Sequence, residues 1–325
     1  MSQNRLAELR ARRALATAEI SVTGPLVPIE SVTNEVWASG DVVVRLNRRL
    51  HSRLRREAEL ADLLPDTVPY PRILAVAEGR GADWVALERV PGTPLVRCWR
   101  MLSRDDRRRA VRELAVVLRA LHGTEVPTEL EGADDPPQLL QPGPMATEPL
   151  IEAIDAAKQL EFVDRGVLEE LRGFVRSRRS VLDPFVSTRM IHGDLHFQNV
   201  LWDGHDVTAL LDLEFARSAP ADLDLDVFLR FCAYPALFVP EGREDEALRE
   251  DYDEVPGWLR ADYPELFAHP DLADRLRIYS IAFDMKALLA SPPRGPLQSL
   301  KHRHPYRRLM ATVRHESHVD RLPRG

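Results

Sequence analysis

The first ninety residues carry short, strand-like runs separated by turn-forming residues, a pattern that predicts β-strands. Two of these runs, residues 31–37 and 42–46, flank a Gly-Asp pair and predict a hairpin with a tight turn. A third run, residues 83–90, ends at a Pro-Gly pair, which interrupts a strand. This part of the chain therefore predicts a small sheet.

Farther along, apolar residues recur at helical spacing. A capping-box-like start at Ser103 leads into such a pattern, which continues until His122 and Gly123 end it. Residues 124–148 are rich in Pro, Glu and Asp and predict a loop or an irregular insertion, after which residues 150–179 return to helical spacing. Residues 222–231, with an acidic start and an apolar body, predict another helix.

Between the last two helical regions, three short strands surround chemically active side chains. The pattern of a strand occurs in residues 190–191, 200–202 and 207–211. An Asp-Gly turn joins the second strand to the third. The connection between the first two strands reads His-Gly-Asp-Leu-His-Phe-Gln-Asn and contains Asp194. We expect the hairpin to bring Asp212, at the end of the third strand, back beside Asp194.

The spacing of three polar residues matches the needs of phosphoryl transfer. An Asp at the start of a catalytic loop can accept the proton of an acceptor hydroxyl, and an Asn five positions later can reach a metal ion. Asp194 and Asn199 have this separation, and Asp212 offers a further oxygen ligand from another element. Hard oxygen ligands suit Mg²⁺. The alternative, in which each Asp only caps a turn, accounts less well for all three in this order.

These residues resemble the aminoglycoside phosphotransferase and choline-kinase-like family of small-molecule kinases. The family signature H-G-D-x-H-x-x-N is matched by His192, Gly193, Asp194, His196 and Asn199. The resemblance implies an α+β, two-lobed protein-kinase-like fold. It places a small antiparallel-sheet N-lobe in residues 1–92 and a larger, mainly helical C-lobe in residues 93–325.

The resemblance also assigns roles in the C-lobe. It implies Asp194 as the catalytic base, Asn199 and Asp212 as Mg²⁺ ligands, and His192 as a structural brace for the loop. Glu214 has two interpretations at this point: it joins the metal site, since D-x-E occurs in relatives, or it points to solvent.

In the N-lobe, the hairpin resembles the family's phosphate-covering element, in which hydroxyl and backbone N–H groups replace a glycine-rich loop. The resemblance assigns nucleotide binding to Ser31, Thr33 and Asn34. Arg45 occupies the strand position where the family usually has Lys, and Glu57 on the following helix is its expected partner. Arg retains the positive charge and can hold phosphate in a bidentate way, but its planar fork is bulkier than an ammonium group.

The run that ends near residue 92 resembles the family's hinge. By position, the backbone groups of Glu88 and Val90 are expected to bond the adenine edge. The implied cofactors are ATP, or GTP in its place, and Mg²⁺.

Composition and net charge restrict the kinds of molecule that the protein is expected to bind. The chain has 325 residues, 44% of them hydrophobic, which allows one large or two moderate cores, and a net charge of -7. This charge argues against general nucleic-acid binding, which usually shows a basic patch. Two cysteines are too few for a disulfide framework, and no long apolar segment predicts a membrane span, so we expect a cytoplasmic protein.

The leading hypothesis is an ATP-dependent phosphotransferase that acts on a hydroxyl of a small molecule. The acceptor is an aminoglycoside or related antibiotic, or else a metabolite such as an amino alcohol, amino sugar or homoserine. A nucleotide-binding pseudokinase is the second hypothesis, because of Arg45. A protein kinase is disfavoured, because the D-F-G and A-P-E elements are missing.

One acidic segment bears on the choice of acceptor. Between residues 241 and 265, acidic residues outnumber basic ones and are interleaved with aromatic residues. Such a surface can attract a polycationic ligand, or it is simply a solvated helical face. The sequence does not determine the oligomeric state.

Overall fold

A computed structural model describes residues 3–31, 34–47, 53–77, 83–239 and 242–321. Its N-terminal part contains two helices and five strands: α1 (Gln3–Thr17), β1 (Val27–Ile29), β2 (Asn34–Ser39), β3 (Val42–Asn47), α2 (Arg53–Ala61), β4 (Ile73–Val76) and β5 (Trp84–Glu88). The five strands form one antiparallel sheet in the order β1-β2-β3-β5-β4.

The β2–β3 hairpin forms as its sequence predicts. The turn follows Ser39, and Gly40 has a φ of 54°, a conformation that glycine adopts without strain. The side chains of Trp37 and Val44 face α1, where small residues such as Ala11 allow the helix to pack closely on the sheet. At the edge of the sheet, the three residues of β1 are exposed, and its central Pro28 pairs with Trp37.

The remainder of the chain is mainly helical. Its helices and short strands are β6 (Thr93–Pro94), α3 (Leu95–Cys98), α4 (Arg104–Leu121), α5 (Glu148–Ala157), α6 (Arg165–Arg178), β7 (Met190–Ile191), β8 (Val200–Trp202), β9 (Val207–Leu210), β10 (Arg217–Ser218), α7 (Asp222–Ala233), α8 (Val255–Asp262), α9 (Leu272–Ala290) and α10 (Pro305–Val313). A small sheet and a larger helical part are thus both present, as the sequence predicts.

Helix α4 shows how local sequence defines these elements. The Ser103 side chain accepts a hydrogen bond from the backbone N–H of Asp106, which caps the helix. One face of the helix is apolar and buried, including Val111, Leu114 and Leu118, so the helix forms part of the main core. The predicted end of the helix, at His122, is confirmed.

The helical spacing of residues 150–179 corresponds to two helices, α5 and α6. Phe162 has a φ of 63°, which no helix accommodates. Asp164 then starts a new helix by accepting a hydrogen bond from the N–H of Gly166 at 2.7 Å.

Short strands fix the position of the loop that contains Asp194. β7 pairs with β10, β8 pairs with both β6 and β9, and the loop connects β7 to β8. The N–H of Leu211 donates to the carbonyl of Asn199 at 2.7 Å, which places Asp212 next to the end of the loop. Within the described ranges, no helix has both the length and the apolar character needed to cross a bilayer.

Candidate active site

The loop between β7 and β8 is anchored by a buried carboxylate from α7. The backbone N–H groups of His192 and Gly193 each donate to Asp224 at 2.7 Å. Asp224 is fully buried, and its Oδ2 also lies 3.1 Å from Nε2 of His122. Burial tends to raise the pKa of Asp224, but hydrogen bonds from His122 and charge attraction lower it below its usual value. The loop is therefore held by an ionised, three-fold hydrogen-bonded group.

Gly193 allows this loop to approach the segment after Asp212. Its φ is 82°, and a Cβ atom at this position would lie 2.8 Å from the carbonyl carbon of Phe215 and 3.0 Å from Nη1 of Arg217. Both the backbone conformation and the close contact therefore require glycine.

The carboxylate of Asp194 is partly exposed to solvent. Its side chain is 31% exposed, and its Oδ2 lies 3.4 Å from Nε2 of His196. The N–H of Asp194 donates to Nδ1 of His192 at 3.2 Å, while the other nitrogen of that ring lies 2.8 Å from the carbonyl of Leu211. His192 thus links the loop to the end of β9.

The electrostatic surroundings keep Asp194 ionised. Burial tends to raise the pKa of this carboxyl, but the charge and hydrogen bond of His196 lower it below its usual value. An ionised carboxylate at this position is able to accept a proton near neutral pH.

Asn199 and Asp212 lie on adjacent segments of backbone. The Asn199 amide nitrogen donates to the carbonyl of Asp194 at 3.0 Å, which leaves the amide oxygen as an acceptor. Asp212 has a left-handed conformation, with φ 67° and ψ 64°, as an Asp can adopt at a sharp turn. The turn ends β9 and directs the chain toward α2.

Arg45 contacts acidic residues from two distant parts of the chain. Its Nη1 lies 2.6 Å from Oε1 of Glu57, as the sequence predicts for this pair, and its Nη2 lies 2.6 Å from Oδ1 of Asp212. Burial by itself lowers the pKa of Arg45, but Asp212 and Glu57 raise it well above its usual value. The Glu57 carboxylate also accepts hydrogen bonds from Tyr70 and from the N–H of Leu213.

Glu214 is buried, so its predicted solvent-facing alternative is wrong. The side chain is 3% exposed and accepts a hydrogen bond from Nδ2 of Asn34 at 3.2 Å. Burial, followed by repulsion from Asp212, raises the pKa of Glu214 to about 7. Asn34, on β2, therefore contacts a carboxyl group that lies near Asp212.

The donor set is compatible with Mg²⁺. Arg45 forms ion pairs with Glu57 and Asp212, and Asp212 lies close enough to Glu214 to raise its pKa. Among the described residues, no three His, Cys, Asp or Glu side chains converge on a common point as a metal cage does. Mg²⁺ usually takes only one or two carboxylates and completes its shell with phosphate and water. Asn199 and Asp212 fit this requirement.

Four other residues are predicted to contact the nucleotide, namely Ser31, Thr33, Glu88 and Val90. Ser31 follows β1 and is partly exposed, and Thr33 lies outside the described residues. Glu88 is exposed at the end of β5, and its N–H already donates to the carbonyl of Arg72 at 2.8 Å. A nucleotide contact at Glu88 would thus use its carbonyl oxygen. Val90 lies two residues farther on and is half-buried.

Several polar residues that contact the loop or the segments packed beside it were not identified from the sequence, namely Asp224, Tyr70, Arg56, Arg217 and Gln138. One signal was present for Asp224. Three Asp residues occur at alternate positions in the otherwise apolar helix α7, and buried carboxylates need partners. The other residues have no local pattern, since their role depends on contacts between distant segments.

The acidic segment of residues 241–265 is largely paired with arginines, many of them from α4. Arg104 contacts Glu254 at 2.5 Å, Arg119 contacts Glu265 at 3.1 Å, and Arg108 contacts Asp262. These pairs join α4 to α8 and neutralise much of the negative charge that the sequence shows in this segment.

Comparison with known proteins identifies the family and the fold. A model of the phosphotransferase enzyme family matches residues 25–266. No curated protein sequence matches the chain. Similar solved structures include the GDP complex of wild-type aminoglycoside 2'-phosphotransferase-IIIa, which is 17% identical with a TM-score of 0.63 over 95% of this chain and 98% of that chain.

Two further structures have the same overall fold. A choline/ethanolamine kinase family protein from Mesorhizobium loti is 19% identical, with a TM-score of 0.60 over 97% of this chain and 99% of that chain. A thermostable mutant of aminoglycoside phosphotransferase APH(4)-Ia, in ternary complex with ADP and hygromycin B, is 15% identical, with a TM-score of 0.59 over 93% and 97%. These likenesses confirm the predicted α+β, kinase-like fold, and the match over residues 25–266 shows that the chain belongs to the phosphotransferase enzyme family.

Proposed function

We propose that the protein transfers the γ-phosphoryl group of ATP to a hydroxyl group of a small molecule. The observation that carries this proposal is the position of Asp194. Its ionised carboxylate is partly exposed on a loop fixed by Asp224, and the same loop ends at Asn199, beside Asp212. A base and two oxygen ligands in this arrangement support in-line phosphoryl transfer.

In this proposal, Asp194 accepts the proton of the acceptor hydroxyl while the hydroxyl oxygen forms a bond to the γ-phosphorus. The bond from that phosphorus to the bridging oxygen breaks, and ADP leaves with its electron pair. Asn199 and Asp212 would hold Mg²⁺, which would neutralise negative charge on the phosphates when bound. Glu214 is a further candidate ligand, because it lies near Asp212.

On the nucleotide side, Ser31, Thr33 and Asn34 are proposed to cover the phosphates. Arg45 would contribute positive charge, held in place by Glu57. The backbone of Glu88 and Val90 would bond the base. ATP and GTP are both candidates, because similar structures carry ADP in one case and GDP in another. Such a kinase would work in the cytoplasm, where these nucleotides are abundant.

Two classes of acceptor are proposed: an aminoglycoside or related antibiotic, and a small metabolite with a hydroxyl group. Similar structures include aminoglycoside phosphotransferases and a choline/ethanolamine kinase family protein. The pairing of Glu254, Asp262 and Glu265 with arginines favours the metabolite, because carboxylates already neutralised attract a polycation less strongly.

The test is Mg²⁺-dependent release of ADP or GDP across a panel of aminoglycosides, other antibiotics, choline, homoserine and amino sugars. We expect one acceptor class to stimulate release, and Asp194→Asn to remove the stimulation. Nucleotide binding without stimulation by any compound would instead favour the pseudokinase. Turnover that survives in Asp194→Asn would contradict the assignment of the base.

A further inference from the structure

Arg217 is a buried cation that directly adjoins the catalytic loop. It is 8% exposed, and its Nη1 would lie 3.0 Å from a Cβ atom on Gly193. The guanidinium donates to the carbonyl of Phe215 and to Oε1 of Gln138, both at 2.9 Å. Within the described part of the chain, no carboxylate forms an ion pair with it. A buried charge without a counter-charge is costly, so this arrangement requires an explanation.

Arg56, on α2, has the same property. Its two Nη groups donate at 2.5 Å to the carbonyls of Ala216 and Leu130, and no ion pair to a carboxylate is formed among the described residues. Burial lowers the pKa of Arg56, and burial together with repulsion from Arg56 lowers the pKa of Arg217 to about 10. Both groups remain charged at neutral pH, on either side of the same short backbone segment.

Gln138 supplies a neutral donor at the same place. Arginine only donates hydrogen bonds, so the side-chain oxygen of Gln138 must face Arg217. The amide nitrogen remains as a donor, and it is buried without a hydrogen-bond partner in a side chain that is 2% exposed. The Nε of Arg56 is likewise buried and without a partner. Unpaired buried donors beside two cations favour an anion.

We propose that Arg56, Arg217 and Gln138 form a binding site for a phosphate or carboxylate group beside the catalytic loop. Guanidinium groups bind both anions through paired N–H···O hydrogen bonds, and an amide N–H completes such a site. Arg56 is half-buried and provides the solvent-facing side. The anion belongs either to the acceptor molecule or to a free ion, and the two sources share this chemistry.

Among the residues that the structure describes, the neighbouring carboxylates do not form ion pairs with Arg56 or Arg217. Asp135 is engaged by Lys286 and lies 3.7 Å from Arg53. Asp224 raises the pKa of Arg217, but its two oxygens are already occupied by the loop and by His122. Asp134 and Glu59 act on Arg56 only through charge, without an ion-pair contact. The positive charge at Arg56 and Arg217 is therefore incompletely compensated.

The first test uses inorganic phosphate and the full-length protein, with potassium chloride at the same ionic strength as reference. We expect phosphate to raise the thermal unfolding midpoint in a saturable way. Arg56→Gln should weaken phosphate binding at least about tenfold, because a charge-assisted hydrogen bond is lost. Arg104→Gln, which makes the same change on the exposed face of α4, should respond as the wild type does. An unchanged midpoint in the wild type, or an equal response in Arg56→Gln, would overturn the proposal.

A second variant tests the proposal even if the loss of charge in Arg56→Gln perturbs folding. Gln138→Glu places a carboxylate of the same shape against Arg217 and so imitates the bound anion. We expect this variant to unfold at a higher temperature than the wild type without phosphate, and to respond little to phosphate. A less stable variant that still binds phosphate as tightly as the wild type would contradict the site.

Kinetic measurements distinguish the two sources of the anion. These measurements rest on the proposed kinase activity, whereas the phosphate-binding measurements do not. If the acceptor carries the anionic group, phosphate competes with it, and Arg56→Gln raises the KM of the acceptor but not that of ATP. If the anion is free, phosphate instead changes kcat and does not compete. Phosphate that affects neither constant would reject a role of this site in the reaction.

Discussion

His122 Nε2 lies 3.1 Å from Asp224 Oδ2, and this contact extends from the end of α4 to the backbone of the catalytic loop. His122 ends α4, and this contact also lets it position the loop through Asp224. The other ring nitrogen lies 3.1 Å from the hydroxyl of Tyr263. The ring is therefore oriented from both sides.

We predict that His122→Phe lowers kcat about tenfold while leaving the KM for ATP nearly unchanged. The loss of one hydrogen bond to a buried carboxylate is worth roughly 1.5 kcal/mol, and the loop that it positions acts on the acceptor. Tyr263→Phe is the matched control and should have a much smaller effect. Steady-state kinetics with varied ATP measure kcat and KM for both variants. An equal loss of kcat in the two variants would refute the larger role that we assign to the contact with Asp224.

We predict that Asp194→Asn reduces turnover by about 10²–10⁴-fold, the usual contribution of a general base. ATP affinity should remain close to that of the wild type, since the amide keeps the shape of the side chain. Calorimetry for binding and ADP release for turnover separate the two quantities. Asp203→Asn, the same change in an exposed turn, should leave both unaltered.

Arg45→Met should lower the free energy of unfolding by about 3–5 kcal/mol, because it leaves the buried Glu57 without its cation. The double variant Arg45→Met/Glu57→Gln should recover part of this loss. Urea denaturation gives the comparison, and Arg72→Met, which removes an exposed pair with Glu88, should cost less than about 1 kcal/mol. A double variant no more stable than Arg45→Met would show that the buried charge is not the cause.

Gly193→Ala should be inactive or fail to fold, whereas Gly204→Ala should be folded and active. Both glycines have positive φ, 82° and 110°, so both substitutions introduce backbone strain of about 1–3 kcal/mol. Only at Gly193 would the new Cβ also collide with Phe215, while nothing lies within 4 Å at Gly204. Thermal unfolding and activity of the two variants together separate strain from collision.

His318 should make the folded protein less stable in mild acid. Burial, and then the charge of Arg230, lower its pKa, although a hydrogen bond to Asp226 acts in the opposite direction. Below about pH 6.5 the unfolded chain binds a proton that the folded chain resists, so the free energy of unfolding falls by about 1.4 kcal/mol per pH unit. The loss continues until the pH reaches the folded pKa, and above pH 6.5 it is absent.

Urea denaturation at pH 7.5 and pH 5.5 measures this effect. His318→Gln lacks the titrating ring, so its stability should depend less on pH over this interval than that of the wild type. The difference between the two proteins removes the contribution of other groups that titrate in the same range. Identical pH dependence would show that His318 is protonated equally in both states.

The sequence predicted those features that depend on local pattern. Helix α4 ends where Gly123 follows His122, and β8 and β9 lie on either side of the turn that contains Gly204. The Arg45–Glu57 pair was also predicted, and the structure contains it at 2.6 Å. The functional roles of these residues stay predictions, since only a ligand-bound state or kinetics can test them.

Contacts between distant segments were not predictable in this way. Gln138 lies in an insertion without regular pattern, and its partner Arg217 is 79 positions later in the chain. Arg56 directly precedes the predicted Glu57, yet a single sequence does not indicate which neighbours the guanidinium meets. The acidic segment near Glu254 was considered as an attractive surface, and its pairing with α4 depends on the packing of α4 against α8.

The exposed edge strand β1 affects how the protein behaves at high concentration. An open strand normally presents N–H and C=O groups on which a second molecule can extend the sheet. Pro28 at the centre of β1 has no N–H to donate, and the strand contains only three residues. Intermolecular strand addition at this edge is therefore interrupted at its midpoint, which protects the hairpin side of the sheet against aggregation.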